Sequence, residues 1–351
     1  MKKLLLSISG AISFVVFLIL FAVTGHMAQE QESQQMADRW SEKKDVAQVS
    51  CFFSPNASVT VDSIEEFEHS LNSVLQEASI TSESPNEGAR LWADAYSADG
   101  RITVSSDRTD LEADAIGIGG DFFLFHPMKL LNGSYFSGND LNHDYCVIDE
   151  DAAWQLFGSN DVAGMTVYIN GIPHLVSGVI ERPSGRLEKA SGLDSTVIYV
   201  SYQTLDEQGT NNGINHYEIV MPNPVSDYAV NLVRERLGGN EKEVEVLENT
   251  SRYSLVNRFK VVLDFGTRSM NGKAIIYPFW ENIARGYEDI IALFTVCMLL
   301  LILYPIILLL VIFIKWWRHK GWTFKDVWHY VKDKAERCVE KRYARRKGKK
   351  R

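Results

Sequence analysis

The sequence predicts a mixed α+β domain held between two membrane-spanning helices. Two stretches, residues 4–24 and 290–314, are apolar and contain no Asp, Glu, Lys, Arg or His. Each is long enough to cross a bilayer, which takes about 20 helical residues. The residues between them alternate short strand patterns with helical patterns, which is typical of an α+β fold. We therefore expect the folded mass to lie on one side of a membrane.

The charge of the chain is divided between an acidic body and a basic end. Residues 315–351 contain 15 Lys and Arg against 4 Asp and Glu, a net charge of +11. Because the whole chain carries −9, residues 1–314 carry −20. Lys and Arg beside spans tend to remain in the cytoplasm, so we expect a plasma-membrane protein with both termini inside. An acidic external domain argues against nucleic acid as a partner.

The first apolar stretch could be a signal peptide or an anchor. Its apolar run is long for the core of a signal peptide, and residues 25–29 offer no A-x-A cleavage site. We therefore favour an uncleaved first span.

Strand and helix patterns follow one another from residue 46 onward. Ser63 and Glu66 form a capping-box pattern ahead of apolar residues at helical spacing. Asp99-Gly100 predicts a hairpin turn between strands at 90–96 and 101–105. The other predicted elements are strands at 46–53, 146–149, 165–169, 176–181, 197–200, 217–221 and 244–247, helices at 151–157 and 225–237, and a mainly helical segment at 254–286.

Motifs for catalysis are absent from the sequence. It contains no HExxH and no GxSxG. Residues 266–273 resemble a phosphate-binding loop, but the glycine spacing is wrong and Ala274 replaces the required Ser or Thr. The protein is therefore predicted not to be an enzyme and to need no cofactor.

Acidic residues give no clear metal site. The run Asp140–Asp144 begins like a calcium loop, but Tyr145 stands where such a loop needs glycine, and a polar turn is favoured. The pairs Asp149-Glu150 and Glu288-Asp289 are interpreted as solvated or capping charges.

Two of the four cysteines, Cys51 and Cys146, fall in the predicted external domain. They could form a disulfide in an oxidising compartment. Alternatively, they are two small buried residues on separate strands.

A more specific pattern occupies the middle of the chain, in Gly119–Phe136, Cys146–Gly158, Val162–Gly171 and Leu175–Val179. It contains C-V-I-D-E-D-A-A-W-Q-L-F-G, then G-M-T-V-Y-I-N-G and V-S-G-V. This pattern resembles the extracytoplasmic core domain of MacB/FtsX-type ABC transporter permeases. One departure is Ser134, which stands where the family pattern has Arg.

The resemblance implies an organisation for the whole chain. A porter-like α+β unit would be split by a mostly-β, sabre-like insertion. The implied parts are a first transmembrane helix at 1–25, a stalk helix at 26–45, porter-like parts at 46–114 and 195–253, the insertion at 115–194, a pre-membrane stalk at 254–289, a second transmembrane helix at 290–314 and a basic amphipathic cytoplasmic tail at 315–351.

The resemblance also implies a function and partners. Proteins of this family couple ATP hydrolysis in the cytoplasm to movement of an external domain, so a cytoplasmic ABC ATPase subunit is expected. Family permeases usually have four spans and this chain has two, which predicts a second permease-type subunit. Two other functions remain open: a stand-alone membrane-anchored sensor or binding protein, and an accessory activator of a cell-envelope enzyme.

Aromatic residues mark the start of the tail, at Trp316, Trp317, Phe324 and Trp328. With the surrounding cations they could hold an amphipathic helix on anionic lipid. By resemblance, this segment would instead contact the ATPase, and the aromatics would be the anchors of that interface. Both interpretations are retained.

Overall fold

The computed structural model describes residues 2–43, 45–81, 89–240, 242–268, 274–319 and 328–337. The chain divides into two compact units, one of Ala22–Val296 and one of Met1–Phe21 with Cys297–Arg351. The helices are α1 Lys2–Gln29, α2 Met36–Trp40, α3 Val61–Glu77, α4 Phe122–Phe125, α5 Glu150–Phe157, α6 Arg186–Ala190, α7 Tyr202–Gln208, α8 Tyr228–Arg236, α9 Leu255–Arg268 and α10 Phe279–Arg318, with a 3-10 turn at Glu32–Gln34.

The strands of the larger unit form one mixed sheet, which confirms the α+β class. They are β1 Val46–Phe53, β2 Ala93–Ser105, β3 Asp110–Gly120, β4 Leu130–Gly133, β5 Tyr145–Asp149, β6 Thr166–Ile169, β7 Ile172–Ile180, β8 Val197–Ser201, β9 Thr210–Asn211, β10 His216–Pro222 and β11 Val244–Glu248. Their order is β11-β1-β10-β2-β3-β8-β5-β7-β4, with β6 beside β2 and β7, and β9 beside β2. The pairs β3–β8 and β5–β7 are parallel, and the others are antiparallel.

The two faces of β1 and β10 are covered by different elements. Successive strand residues point to opposite faces. Ala47, Val49 and Cys51 therefore share a core with Tyr217 and Ile219, and helices α3 and α8 complete that core. The opposite face of the same strands packs toward α2, α4 and the first turn of α10, as Met36, Phe122 and Trp280 show.

Two local predictions are wrong in position. Helix α3 is capped by Thr60, whose side chain accepts from the Ser63 amide, so the capping box lies one turn earlier than Ser63 and Glu66. Strand β2 runs straight through Asp99-Gly100, and the turn follows at residues 106–109. Glycine is needed at position 100 for another reason, since a Cβ there would lie 2.3 Å from the backbone oxygen of Thr210 in β9.

The first stalk is also not a continuation of α1. That helix ends at Gln29, and the chain turns through the 3-10 segment before α2 begins. Helix α2 itself packs on the domain, because Met36 and Ala37 are buried and Trp40 packs beside them.

The smaller unit consists mainly of two apolar helices that contact each other. Both α1 and α10 are long and apolar enough to cross a membrane. Pro305 has no N–H, so the carbonyl of Leu301 loses its partner within α10. The Ser13 hydroxyl of α1 donates to that carbonyl at 2.7 Å, and Ser9 lies 2.7 Å from the hydroxyl of Tyr304. Polar contacts of this kind hold helices together within lipid.

The structure contradicts the disulfide considered between Cys51 and Cys146. Both thiols are buried and free. Five strand spacings separate β1 from β5, about 24 Å at 4.8 Å per spacing. A disulfide needs Cα atoms within roughly 7 Å. The alternative, two buried residues on separate strands, describes them correctly, and burial raises the pKa of Cys146 to about 12.

Candidate functional site

An unusual set of polar side chains is buried on one face of the central strands. Successive residues of a strand point to opposite faces of the sheet. Cys51 and Tyr217 point into one core, and Gln48, Ser50, His216 and Glu218 therefore point to the other face. Ser50 lies directly opposite Glu218 across the β1–β10 pair. All four side chains are almost completely buried, so any polar partners that they have must lie within the protein.

The centre of the site is Arg252, four residues beyond β11. Its guanidinium binds Glu281 of α10 through two parallel contacts of 2.7 and 2.9 Å. It binds Glu288 of the same helix at 2.8 and 3.3 Å. Its Nη1 also donates to the Gln34 side chain at 2.9 Å and to Asn249 at 3.5 Å. One side chain thus joins the segment after α1, the end of the sheet and the start of α10. We call Arg252 with these four partners the arginine node.

Helical spacing explains why α10 can supply the acidic partners. Glu281, Arg285 and Glu288 lie at i, i+4 and i+7 and therefore share one face of the helix. Arg285 donates to Glu281 at 2.6 Å and to Glu245 of β11 at 3.0 Å. Its guanidinium also lies 3.9 Å from the ring centre of Tyr277. The helix is thus tied to the edge strand as well as to Arg252.

A second buried cluster lies on the other side of the same helical turn. Trp280 places its ring 4.2 Å from that of His126 and 5.1 Å from that of His216. Nε2 of His126 lies 2.7 Å from Glu218, and Nε2 of His216 lies 3.7 Å from it. The His126–Glu218 contact does not have hydrogen-bond geometry, so we describe it only as a close contact. We call these four residues the histidine cluster.

A chain of hydrogen bonds connects the two groups. The Asn249 amide donates to the Ser50 hydroxyl at 2.7 Å, and Ser50 donates to Glu218 at 3.0 Å. Asn249 in turn accepts from Arg252. The arginine node and the histidine cluster are therefore one continuous polar network around the first turns of α10.

The electrostatics of the network favour its charged form. Burial alone would raise the pKa of Glu281, but Arg252 and Arg285 outweigh it and hold the pKa below its usual range. Burial alone would lower the pKa of Arg252, but Glu281 and Glu288 raise it well above its usual range. For Glu218, burial is likewise outweighed, mainly by His126, and its pKa is lowered. Burial lowers the pKa of His216 to about 4, so this ring is neutral near pH 7.

The geometry suits the holding of a helix. Among the residues that the structure describes, no group of three or more His, Cys, Asp or Glu is placed to hold a metal ion. The acidic and basic groups of the network are paired with each other. What the site does is fix α10 to three other parts of the larger unit.

The aromatic residues predicted at the tail lie elsewhere. Trp316 and Trp317 end α10 within the smaller unit, and both rings contact that of Phe313. Trp328 is exposed on a helical segment that covers residues 328–337. Phe324 lies outside the described residues.

Sequence reasoning did not find the arginine node. The prediction of a solvated or capping charge is wrong for Glu288, which is an ion-pair partner of the buried Arg252. The companion interpretation is right for Asp149, whose side chain caps α5. One signal was available: Gln48 and Ser50 alternate with apolar residues in a strand that is buried on both faces.

The architecture defines a class: a mixed α/β domain of the extracytoplasmic type, attached to apolar helices at both ends and bound to one of them through a buried ionic network. Residues 4–235 match the family described as MacB-like periplasmic core domain. The chain belongs to this family, which confirms the resemblance seen in the sequence.

Individual relatives agree over a shorter stretch. The chain is 30% identical to a macrolide export ATP-binding/permease protein MacB of Chromobacterium violaceum over 97 residues, 27% of this chain and 14% of that protein. It is 32% identical to the protein of the same name from Pasteurella multocida, again over 97 residues, 27% and 14%. The matched region is thus a small part of these relatives.

Solved structures give a weaker likeness. The periplasmic region of MacB from Actinobacillus actinomycetemcomitans matches with a TM-score of 0.39 and 15% identity, covering 60% of this chain and 92% of that one. The extracellular domain of the ABC-type transporter YknZ from Gram-positive bacteria matches with a TM-score of 0.36 and 18% identity, covering 57% and 99%.

Removal of the Arg252 charge tests the arginine node. In Arg252→Met, Glu281 remains buried without its main partner, and we expect a loss of about 3–5 kcal/mol in the free energy of unfolding. In Arg252→Met with Glu281→Gln, the stranded charge is gone, and part of the loss should be recovered. Chemical denaturation of the full chain in detergent measures both.

An exposed arginine serves as the control. Arg101 pairs with Glu112 and Asp114 but is two-thirds exposed. Such surface pairs contribute at most about 1 kcal/mol, so Arg101→Met should change little. Equal losses in Arg252→Met and Arg101→Met would contradict a special role for the node.

The neutral His216 predicts a specific loss of stability in acid. Its pKa is about 4 in the folded protein and about 6.5 when unfolded. Unfolding therefore takes up a proton between these values, and the contribution of His216 to stability falls as the pH drops from 6.5 toward 4, by about 3 kcal/mol in all. His216→Phe keeps an aromatic ring and removes the group that takes up this proton.

The measurement is the difference in unfolding temperature between His216→Phe and the unsubstituted chain at pH 7.5 and 5. The comparison with the unsubstituted chain is needed because other groups also respond to pH. Burial and Glu68 raise the pKa of Asp94 to about 8, so Asp94 stabilises the fold as the pH falls. The variant should gain relative to the unsubstituted chain at pH 5. His69→Gln, at an exposed histidine of α3, should not. A parallel response of all three proteins would refute the assignment.

Proposed function

We propose that this chain is the permease-type membrane subunit of a MacB/FtsX-type ABC transporter, in which α10 passes motion between a cytoplasmic ATPase and the extracytoplasmic domain. The observation that carries the proposal is the arginine node. It binds Glu281 and Glu288 of a helix that also contains an apolar span. Membership of the MacB-like family supports an ABC transporter as the setting.

The placement of the charges supports coupling by a rigid attachment. Glu281 is 1% exposed and Arg252 6%, so this pair is shielded from water and salt. Breaking it would strand a buried charge, which costs several kcal/mol. A force on α10 would therefore move the attached sheet before it separates the two. The outcome for the cell would be efflux or transmission of a mechanical signal to the envelope.

Coupling predicts a response of the junction to nucleotide. In the complex co-purified with its ABC ATPase, we expect amide hydrogen exchange in residues 244–253 and 274–289 to differ between ADP and ATP with vanadate. Helix α3 is the internal control, because it packs on the opposite face of the sheet and makes no contact with the node. In Arg252→Met, the nucleotide should no longer change exchange in residues 244–253. Identical exchange in both nucleotides would refute the coupling.

We further propose that both termini are cytoplasmic and that the tail binds the ATPase through Trp316, Trp317, Phe324 and Trp328, with anionic lipid beneath its cations. The net charge of +11 over residues 315–351 supports this orientation. The exposure of Trp328, at 70%, leaves an aromatic ring available for a partner. A second permease-type subunit would complete the membrane part of the assembly.

The tail is tested by the variant Phe324→Ala with Trp328→Ala, which keeps every cation. We expect loss of the ATPase on co-purification, because buried aromatic anchors dominate such interfaces. Tyr330→Ala removes an exposed aromatic ring from the same helical segment and should retain the ATPase. If the double variant also retains it, the tail is a lipid anchor only. Rapid labelling of Cys338 on whole cells by an impermeant reagent would contradict the orientation.

A further inference from the structure

Helix α9 carries an apolar stripe that no described part of the chain covers. Leu255, Phe259 and Leu263 lie at i, i+4 and i+8, with Val256 beside them, so they share one face. These four side chains are between 42% and 83% exposed. The helix is held to the rest of the unit on another side, where Val261 is buried.

The position of α9 along the chain relates it to the span. Arg252 binds Glu288 at 2.8 Å, and α9 begins only three residues after Arg252. Glu288 lies two residues before Ile290, where the apolar stretch begins, which is about 3 Å along a helix. The start of α9 therefore lies near the part of α10 where the apolar stretch begins.

The polar side of α9 faces the rest of the larger unit. Asn257, Lys260 and Asp264 line a cleft of about 510 Å³, whose other walls come from α8, β11 and the start of α10, including Arg285 and Glu288. The apolar stripe lies on a different side of α9 from this cleft. The polar headgroup layer of a bilayer is roughly 5–7 Å thick on each side, so a helix near Glu288 is close to that layer.

We propose that α9 is an interfacial helix whose apolar stripe inserts into the outer lipid leaflet beside the second span. A short amphipathic helix with an apolar face and a charged face is the element that binds in this layer. We assign the apolar stripe to lipid, because α9 begins near the start of the second span and not on a distant part of the domain. The inference does not depend on the ATPase or on coupling, although the assignment to the outer leaflet rests on the proposed orientation.

Lipid contact is tested in the full chain without any partner. Leu263→Cys is made in a chain with Cys297→Ser and Cys338→Ser, labelled with an environment-sensitive NBD dye, and reconstituted into vesicles of phosphatidylcholine and phosphatidylglycerol. Cys51 and Cys146 remain, since both are buried. We expect a blue-shifted emission that a spin-labelled lipid quenches.

Two matched positions serve as controls. Asp264→Cys places the dye on the cleft side of the same helix. Leu141→Cys places it at an exposed leucine, 96% accessible, far along the chain from α9. Neither should show a blue shift or quenching by lipid. A dye at position 263 that behaves like these controls would overturn the proposal. A blue shift without lipid quenching would overturn it too, since it would mean that protein, such as a second copy of the chain, covers the stripe.

Discussion

The buried contact between Arg252 and Glu281 is the constraint on which the larger unit depends. Every donor of the guanidinium has a partner, and those partners come from the segment after α1, the loop after β11 and two turns of α10. A buried ion pair is seldom chosen for stability alone, because apolar residues of similar volume can do as well. We expect its advantage to be geometric, because parallel contacts between Arg252 and Glu281 favour one arrangement of α10. The network therefore specifies where α10 attaches.

The strands prepare the surface to which α10 binds. Alternation along β1 and β10 gives one face an apolar core beneath α3 and α8, and gives the other face Gln48, Ser50, His216 and Glu218. Trp280 covers the histidine rings, while the next residue, Glu281, takes Arg252. Apolar covering and ionic pairing thus come from adjacent positions of one helical turn. Removing Arg252 or Glu281 would leave a buried charge without its partner.

Local sequence patterns predict much of the fold, but they do not predict the arginine node or the histidine cluster. Strand β1 has its predicted bounds, and the helix at α5 and the strands β8, β10 and β11 lie within one residue or so of theirs. The errors arose where one sequence signal had more than one explanation. Thr60 is as good a helix cap as Ser63. Asp99-Gly100 has the sequence of a turn, but Gly100 is needed for close packing against β9. Arg252 gave no local signal, since its partners Glu281 and Gln34 lie 29 and 218 residues away. Only the register of β1 against β10 and the entry of α10 bring these groups together.

The same geometry limits how α10 can move. A slide of α10 by one residue, about 1.5 Å along its axis, would break the parallel contacts to Glu281 and shift Glu288 and Arg285 from their partners together. Rotation would carry Trp280 off the histidine rings. Neither motion is possible at low cost without the sheet, so the attached strands must follow the helix. The eleven paired positions of β2 and β3 then connect those strands to β8, β5, β7 and β4. A displacement of the first turns of α10 would therefore be passed through β2 and β3 to the strands that follow β3 in the sheet.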